Sequence, residues 1–207
     1  MKRRLFAILL MLTLAVTFSF TACGSDEEAP AAEPEETTEE AAEPEVDATK
    51  YGYGGTDPVE AAVYQYMVEE VSKSYDKTDV SIPTVSIVHV DYTPEDEILV
   101  YGDFWIDNYN IKGDTLRDIS GGNYPGVIHL SKDYVVTAFD QVADGGDFDA
   151  SAKELFGDYY DDFIAVYNDS DARAELRRAT VTDYVNFNGL DVKKYKDKGW
   201  PAVELYE

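Results

Sequence analysis

The chain has 207 residues and a formal net charge of −25, with 17 Lys and Arg against 42 Asp and Glu. This length suits one domain with tails. The strong negative charge makes nucleic acid a poor partner and disfavours electrostatic binding to anionic membrane surfaces.

The first 22 residues predict a secretory signal peptide. Lys2, Arg3 and Arg4 form a basic start, and residues 5–20 are apolar apart from two Thr and one Ser. This apolar stretch is shorter than the roughly 20 residues that a permanent transmembrane helix needs. Because a basic start and a short apolar stretch are typical of exported proteins, we expect residues 1–22 to be removed.

Cys23 is the only cysteine and follows this stretch directly. The ending Phe20-Thr21-Ala22-Cys23 resembles the lipobox of bacterial lipoproteins, although Phe20 stands where Leu is usual. The resemblance implies cleavage before Cys23 and a diacylglycerol on its thiol. Acyl chains such as palmitate would then anchor the protein to the cell membrane, facing outside in a Gram-positive-type envelope.

Residues 23–50 are predicted to comprise the lipidated Cys and a disordered acidic tether. They hold eleven acids, one Lys and no aromatic residue. So little apolar surface cannot offset the chain entropy lost on folding. Prolines and like charges favour an extended chain, so we expect an inert spacer between membrane and domain.

Residues 51–207 are predicted to form a single globular α+β domain, because they contain 24 of the aromatic residues and can build a core. The first expected element is a helix over residues 58–74, capped by Asp57 and with Pro58 at its first position. Strands are expected over residues 84–92, 98–106, 115–120, 127–130 and 134–142. A phase change after Ile87 predicts a bulge in the first strand.

The remaining elements are predicted to be helical. A short helix capped by Asp149 or Ser151 is expected to end near Phe156, and two longer helices are expected over residues 158–167 and 169–187. A loop is expected over residues 108–113. The tail over residues 190–207 looks ordered, with three apolar anchors: Trp200, Val203 and Leu205.

This order predicts an α+β fold. An N-terminal helix would pack on a curved antiparallel sheet of four or five strands, followed by two or three C-terminal helices. The layout resembles the cystatin-like and NTF2-like group. Because that group includes isomerases, binding modules and inactive subunits, the resemblance implies no single function.

Short motifs in the second half of the domain carry a second resemblance. They are Asp144-Gly145, Ser151-Ala152-Lys153, Phe156-Gly157, Tyr184-Val185 and Gly199-Trp200-Pro201-Ala202-Val203-Glu204-Leu205. Together they are similar to a family of uncharacterised lipoproteins of gut clostridia, although here Pro follows Trp directly. The resemblance implies an anchored extracytoplasmic protein and supplies no catalytic residue.

The sheet face opposite the first helix holds the candidate ligand-binding site. Strand alternation places Tyr101, Asp103 and Trp105 on that face, and the same parity adds His129. Aromatic rings, an acid and a His on one face suit a pocket for a small ligand or a sugar. The alternative is that the C-terminal helices cover this face as a second core.

The sequence lacks the residue spacings that a metal site or a nucleophilic active site requires. His89 and His129 both fall in predicted strands and form no HxH or HExxH motif. A calcium loop starting at Asp147 would have Ala152 where Gly is needed. No G-x-S-x-G motif is present. We therefore assign no catalytic residue, metal or cofactor.

Three functions follow from these observations. The first is a non-enzymatic lipoprotein module that binds a small ligand or an envelope protein. The second is an isomerase-like enzyme with a pocket on the sheet and Asp103 or His129 as base. The third is an envelope inhibitor or immunity protein, which would expose a broad apolar patch.

The lipid anchor is tested by Cys23→Ser. Without the thiol, we expect the precursor to escape normal processing and the protein to leave the membrane fraction, measured by fractionation and gel mobility. A Cys23→Ser protein that is fully processed and still partitions with membranes would contradict the anchor.

Overall fold

The computed structural model describes residues 54–206, which belong to one compact unit. They form an α+β structure with a mixed seven-stranded sheet, so the predicted α+β class is confirmed. The signal peptide over residues 1–22 and the lipidated Cys23 with its tether over residues 23–50 lie outside the described residues, and both stay predictions.

The first helix, α1, spans Pro58–Glu69. The Asp57 carboxylate caps it by accepting hydrogen bonds from the backbone N–H groups of Val59 at 2.8 Å and Glu60 at 3.2 Å. A 3₁₀ turn over Val71–Ser74 follows, so the predicted helix ends earlier than expected.

Five antiparallel strands follow in chain order: β1 (Val80–Asp91), β2 (Glu97–Lys112), β3 (Thr115–Asn123), β4 (Gly126–Ser131) and β5 (Val136–Gln141). The register of β1 shifts between Ile87 and His89, which confirms the predicted bulge. The loop expected over residues 108–113 is wrong, because β2 continues to Lys112. Its polar residues are paired across strands: the Ser81 hydroxyl donates to Asn108, and the Asp79 N–H donates to Asn110.

The strand β2 occupies the centre of the sheet. Along one edge it pairs with β1, and along the other it pairs first with β4 and then with β3. The two residues Tyr124 and Pro125 belong to no strand and separate β3 from β4. Both strands pair with β2 along the same edge, one after the other. Beyond them, β5 pairs with β4, and the short strand β6 (Lys194–Lys196) pairs in parallel with β3.

The strands β6 and β7 (Val203–Glu204) explain why the sheet exceeds the expected four or five strands and is mixed. They come from the tail, which sequence reasoning treated as a segment without strands. Leu205 is buried and Val203 half-buried there, as expected for anchors. Trp200 is not an anchor, because it is 71% exposed.

Three helices follow the five antiparallel strands, namely α2 (Phe148–Phe156), α3 (Tyr160–Asn168) and α4 (Ser170–Asn188). Short 3₁₀ turns over Gly145–Asp147 and Gly157–Tyr159 precede α2 and α3. The Asp169 carboxylate caps α4, and Gly189 ends it at φ 64°, a left-handed conformation that favours glycine. The bounds of α3 and α4 match the predicted helices within about two residues, but the predicted cap of α2 is wrong, because α2 begins at Phe148 and both Asp149 and Ser151 lie inside it.

The two faces of the sheet carry different cores. On one face, α1 packs against a cluster that includes Val100, Phe104 and Ile106. On the other face, α4 packs near Tyr109, while α2 and α3 form an aromatic cluster near Tyr101. Within residues 54–206 no helix is long and apolar enough to cross a membrane.

The tight pairing of β4 with β5 predicts that Gly126→Ala is destabilising. A methyl group there would collide with the backbone carbonyl of Asp140 on β5. We expect a loss of about 2 kcal/mol or more in the free energy of unfolding, measured by urea titration of the full chain. The matched control is Gly146→Ala, where a methyl group meets nothing within 4 Å. Equal stabilities for the two variants would contradict this register.

Candidate functional site

Asp103 and Trp105 of β2 come together as a hydrogen-bonded unit. The Asp103 side chain is 1% exposed, and its Oδ2 accepts a hydrogen bond from the indole Nε1 of Trp105 at 2.9 Å. Its Oδ1 accepts from the amide of Asn123, which lies opposite Trp105 on β3. Burial raises the pKa of Asp103, while these two hydrogen bonds and the charge of Arg173 oppose the rise.

Tyr101 and His129, the other two predicted site residues, have different surroundings. The half-buried Tyr101 ring packs against Phe156 and Tyr159 at centroid distances of 6.0 and 5.1 Å, at the border of the aromatic cluster of α2 and α3. His129 bridges Glu97 at 2.8 Å and Asp140 at 3.2 Å. Neither residue borders the cavities beside Trp105, so the structure brings together only half of the predicted group.

The larger of these cavities, here called the Trp105 cleft, has a volume of about 580 Å³. Five aromatic side chains line it: Tyr75, Trp105, Tyr124, Phe148 and Tyr167. Three polar side chains share the lining: Asn123, Gln141 and Asp144. Although five of its lining residues are aromatic, more of the exposed wall of the cleft is polar than apolar, which suits a hydroxyl-rich ligand better than an apolar one.

The break between β3 and β4 creates this cleft. β6 covers only residues Thr115–Arg117 of β3, and β5 pairs only with β4. The end of β3 therefore has no strand on its outer edge within the described residues. Gly122 lies at this end, where a side chain would collide with the Tyr75 hydroxyl and crowd the ring of Tyr124. The two tyrosine hydroxyls lie 2.6 Å apart.

A second, smaller space, here called the Arg173 cavity, has a volume of about 140 Å³. Trp105 borders it as well as the cleft. The other lining residues come from β1, β2 and α4: Thr84, Asp107, Ser170, Arg173, Ala174 and Arg177. The Arg173 guanidinium lies 4.8 Å from the centroid of the Trp105 ring, within cation–π distance. Trp105 is therefore held by Asp103 through its indole nitrogen and by Arg173 over its face.

Arg177 joins three parts of the fold through a partly buried ion-pair network. Its guanidinium donates two hydrogen bonds of 2.8 Å to Asp197, in the bidentate geometry that makes such pairs strong. It also donates to the Tyr109 hydroxyl, and its Nε lies 3.0 Å from Asp107. The network thus ties β2, α4 and the segment after β6 together.

Burial raises the pKa of Asp107 in this network to about 6. The positive charge of Arg177 opposes the rise, and the carboxylates of Asp118 and Asp197 add to it. Burial disfavours the charge of Arg177, but its interactions with Tyr109, Asp107 and Asp197 outweigh that effect and raise its pKa. Arg177 therefore stays charged, while Asp107 takes up a proton in mildly acidic solution.

Sequence reasoning missed most of the residues around Trp105. Thr84 and Asn123 lie directly opposite Trp105 on β1 and β3. A correct alignment of these strands would have found both. Arg173 and Arg177 share one side of α4 because they are four residues apart. The sequence around them does not predict which strand they contact.

Comparison of the chain with protein-family models, with curated proteins and with solved structures found no match. Within residues 54–206, no group of three His, Cys, Asp or Glu side chains is placed to hold a metal ion. Asp147 and Asp149, the start of the partial calcium-loop match, lie at the beginning of α2.

The raised pKa of Asp107 predicts a specific pH dependence of stability. Because the folded state binds this proton more tightly than the unfolded state, the stability of the wild type rises relative to Asp107→Asn as the pH falls through 6. Between about pH 7.5 and pH 5 we expect a relative gain of about 1 kcal/mol, measured by urea unfolding. Asp133→Asn, in an exposed turn, is the control for losing a carboxylate. An unchanged difference across this range would contradict the assignment.

Proposed function

We propose that the protein is a lipid-anchored extracytoplasmic binding module, and that the Trp105 cleft binds a neutral, hydroxyl-rich ligand of sugar size. The observation that carries this proposal is the lining of the cleft: five aromatic rings around Asn123, Gln141 and Asp144. Anchoring at Cys23, with residues 23–50 as a spacer, would place this cleft outside the cell membrane.

The chemistry of the cleft favours such a ligand. The C–H faces of a pyranose ring are apolar and gain by packing on aromatic rings. Its hydroxyl groups need both hydrogen-bond donors and acceptors. The amides of Asn123 and Gln141 supply both, and the carboxylate of Asp144 supplies acceptors. The acidic character of the chain disfavours a polyanionic ligand.

We also propose that the fold is a variant of the cystatin-like and NTF2-like layout. The support is one helix, α1, on one face of five antiparallel strands, with three further helices after them. The parallel strand β6 and its partner β7 would be additions to that layout. Membership of the clostridial lipoprotein family is likewise a proposal, which rests on the motifs within residues 144–205.

The binding module is favoured over the two rival functions. An enzyme using Asp103 as base would need that carboxylate to reach a substrate, but Asp103 is buried and borders neither cavity at Trp105. His129 is engaged by Glu97 and Asp140. An inhibitor would need a broad apolar patch, and the spread of the large exposed apolar side chains along the sequence gives it no specific support: Tyr92, Ile119, Tyr134, Val135, Phe187, Trp200 and Tyr206.

The test uses Trp105 as its own reporter. Trp200→Phe leaves one tryptophan in the chain, and this variant is titrated as the full chain in a detergent without a sugar headgroup. Maltose, cellobiose and N,N′-diacetylchitobiose serve as probes. We expect a saturable change in tryptophan emission with at least one of them, because the indole borders the cleft.

A matched pair of variants locates the binding. Gln141→Ala removes an amide that lines the cleft. It should lower the affinity for the best-binding probe about fivefold, which corresponds to the loss of one hydrogen bond. Gln65→Ala, on the exposed side of α1, should leave affinity unchanged. A chain whose Trp105 emission responds to none of the probes, or whose affinity falls equally in both variants, contradicts the proposed function.

A further inference from the structure

Thr84 is the first observation that points to a ligand in the Arg173 cavity. Its side chain is 1% exposed and lines this cavity. Its Oγ1 is the one buried side-chain polar atom without a hydrogen-bond partner in the part of the chain that the structure describes. Buried hydroxyl groups are normally paired, since leaving one unpaired costs free energy. A hydrogen-bond acceptor bound in the cavity would supply the partner that this hydroxyl lacks.

Arg173 is the second observation. Its Nη1 donates to the backbone carbonyl of Tyr167 at 3.0 Å, and its guanidinium stacks on Trp105. No carboxylate lies within ion-pair distance of it among residues 54–206. A guanidinium has five N–H groups in a rigid fork that suits a carboxylate. Arg173 therefore offers several donors at the wall of the cavity, in an orientation fixed by Trp105.

The remaining walls set the size and charge of an occupant. The hydroxyl of Ser170 adds a donor, while Asp107 and Arg177 bind each other. The space opens to solvent beside the exposed residues Ser170 and Ala174, and its volume of about 140 Å³ takes an occupant of about six non-hydrogen atoms. Asp103 and Asp107 lie close by and repel a doubly charged anion more than a singly charged one.

We propose that the Arg173 cavity is a binding site for a small monocarboxylate. One edge of the carboxylate meets the guanidinium of Arg173, and an oxygen accepts the hydroxyl proton of Thr84. This site is separate from the Trp105 cleft, and the proposal does not depend on what the cleft binds. Trp105 forms a wall of both spaces.

Lactate is the probe, because it has one carboxylate and six non-hydrogen atoms. Binding to the full chain in detergent is measured by ligand-observed NMR at constant ionic strength. Lactamide serves as the neutral isostere and inorganic phosphate as the multiply charged anion. We expect saturable lactate binding in the millimolar range, with lactamide and phosphate at least about tenfold weaker.

Two variants at the site and one control decide the assignment. Arg173→Gln should weaken lactate binding at least about tenfold, and Thr84→Val about threefold or more. Arg117→Gln makes the same substitution at an exposed position of β3 and should leave binding unchanged. Thr84→Val should also raise the melting temperature without lactate, because it removes an unpaired buried hydroxyl. This readout shows that the variant is folded.

Three results would overturn the proposal. One is the absence of saturable lactate binding. Another is equal affinity for lactate and lactamide, which would show that the charge is not recognised. The third is a folded Thr84→Val or Arg173→Gln protein that binds lactate like the wild type. Disaccharide binding in the cleft is scored separately, so failure of one site is distinguishable from failure of the other.

Discussion

The 16-residue strand β2 is the constraint on which the rest of the structure depends, because its two faces serve two different cores. Alternate side chains of a strand point to opposite sides. Phe104 and Ile106 therefore face α1, while Asp103, Trp105 and Asp107 face the C-terminal helices. One strand must thus supply an ordinary apolar core and, on its other side, a surface that carries two carboxylates away from water.

Those carboxylates determine what the second face can become. A buried charge is tolerated only where hydrogen bonds or opposite charges compensate for lost hydration. Asp103 obtains this from Trp105 and Asn123, and Asp107 obtains it from Arg177. The first compensation fixes the indole, and the second fixes α4 over the sheet. The space left on the two sides of Trp105 is the origin of both the Trp105 cleft and the Arg173 cavity.

The parts of the fold that depend on local signals could be predicted from the sequence. The caps at Asp57 and Asp169 and the stops at Gly157 and Gly189 act within one helical turn. The predicted end of β2 was wrong, because Asn108 resembles a loop residue until its partners on β1 and β3 are known. The strand β6 was missed for the same reason, since its parallel partner β3 lies about 80 residues earlier in the chain, and β7 was missed with it because β6 is its partner.

The candidate site shows the same division. Asp103 and Trp105 were predicted to share a face from strand alternation alone, and they do. His129 satisfies the same parity but lies between Glu97 and Asp140, because parity assigns a face and not a position along it. Thr84 and Arg173 reach Trp105 only through strand register and helix packing.

The most direct test of this account is hydrogen exchange at the two tryptophan indoles, measured by NMR on the full chain. The central claim is that buried Asp103 holds Trp105 as a fixed wall between two spaces. The indole N–H of Trp105 should then exchange at least about tenfold more slowly than that of Trp200, which is 71% exposed. The spectrum of Trp200→Phe assigns the signals. Equal exchange rates for the two indoles would contradict the account.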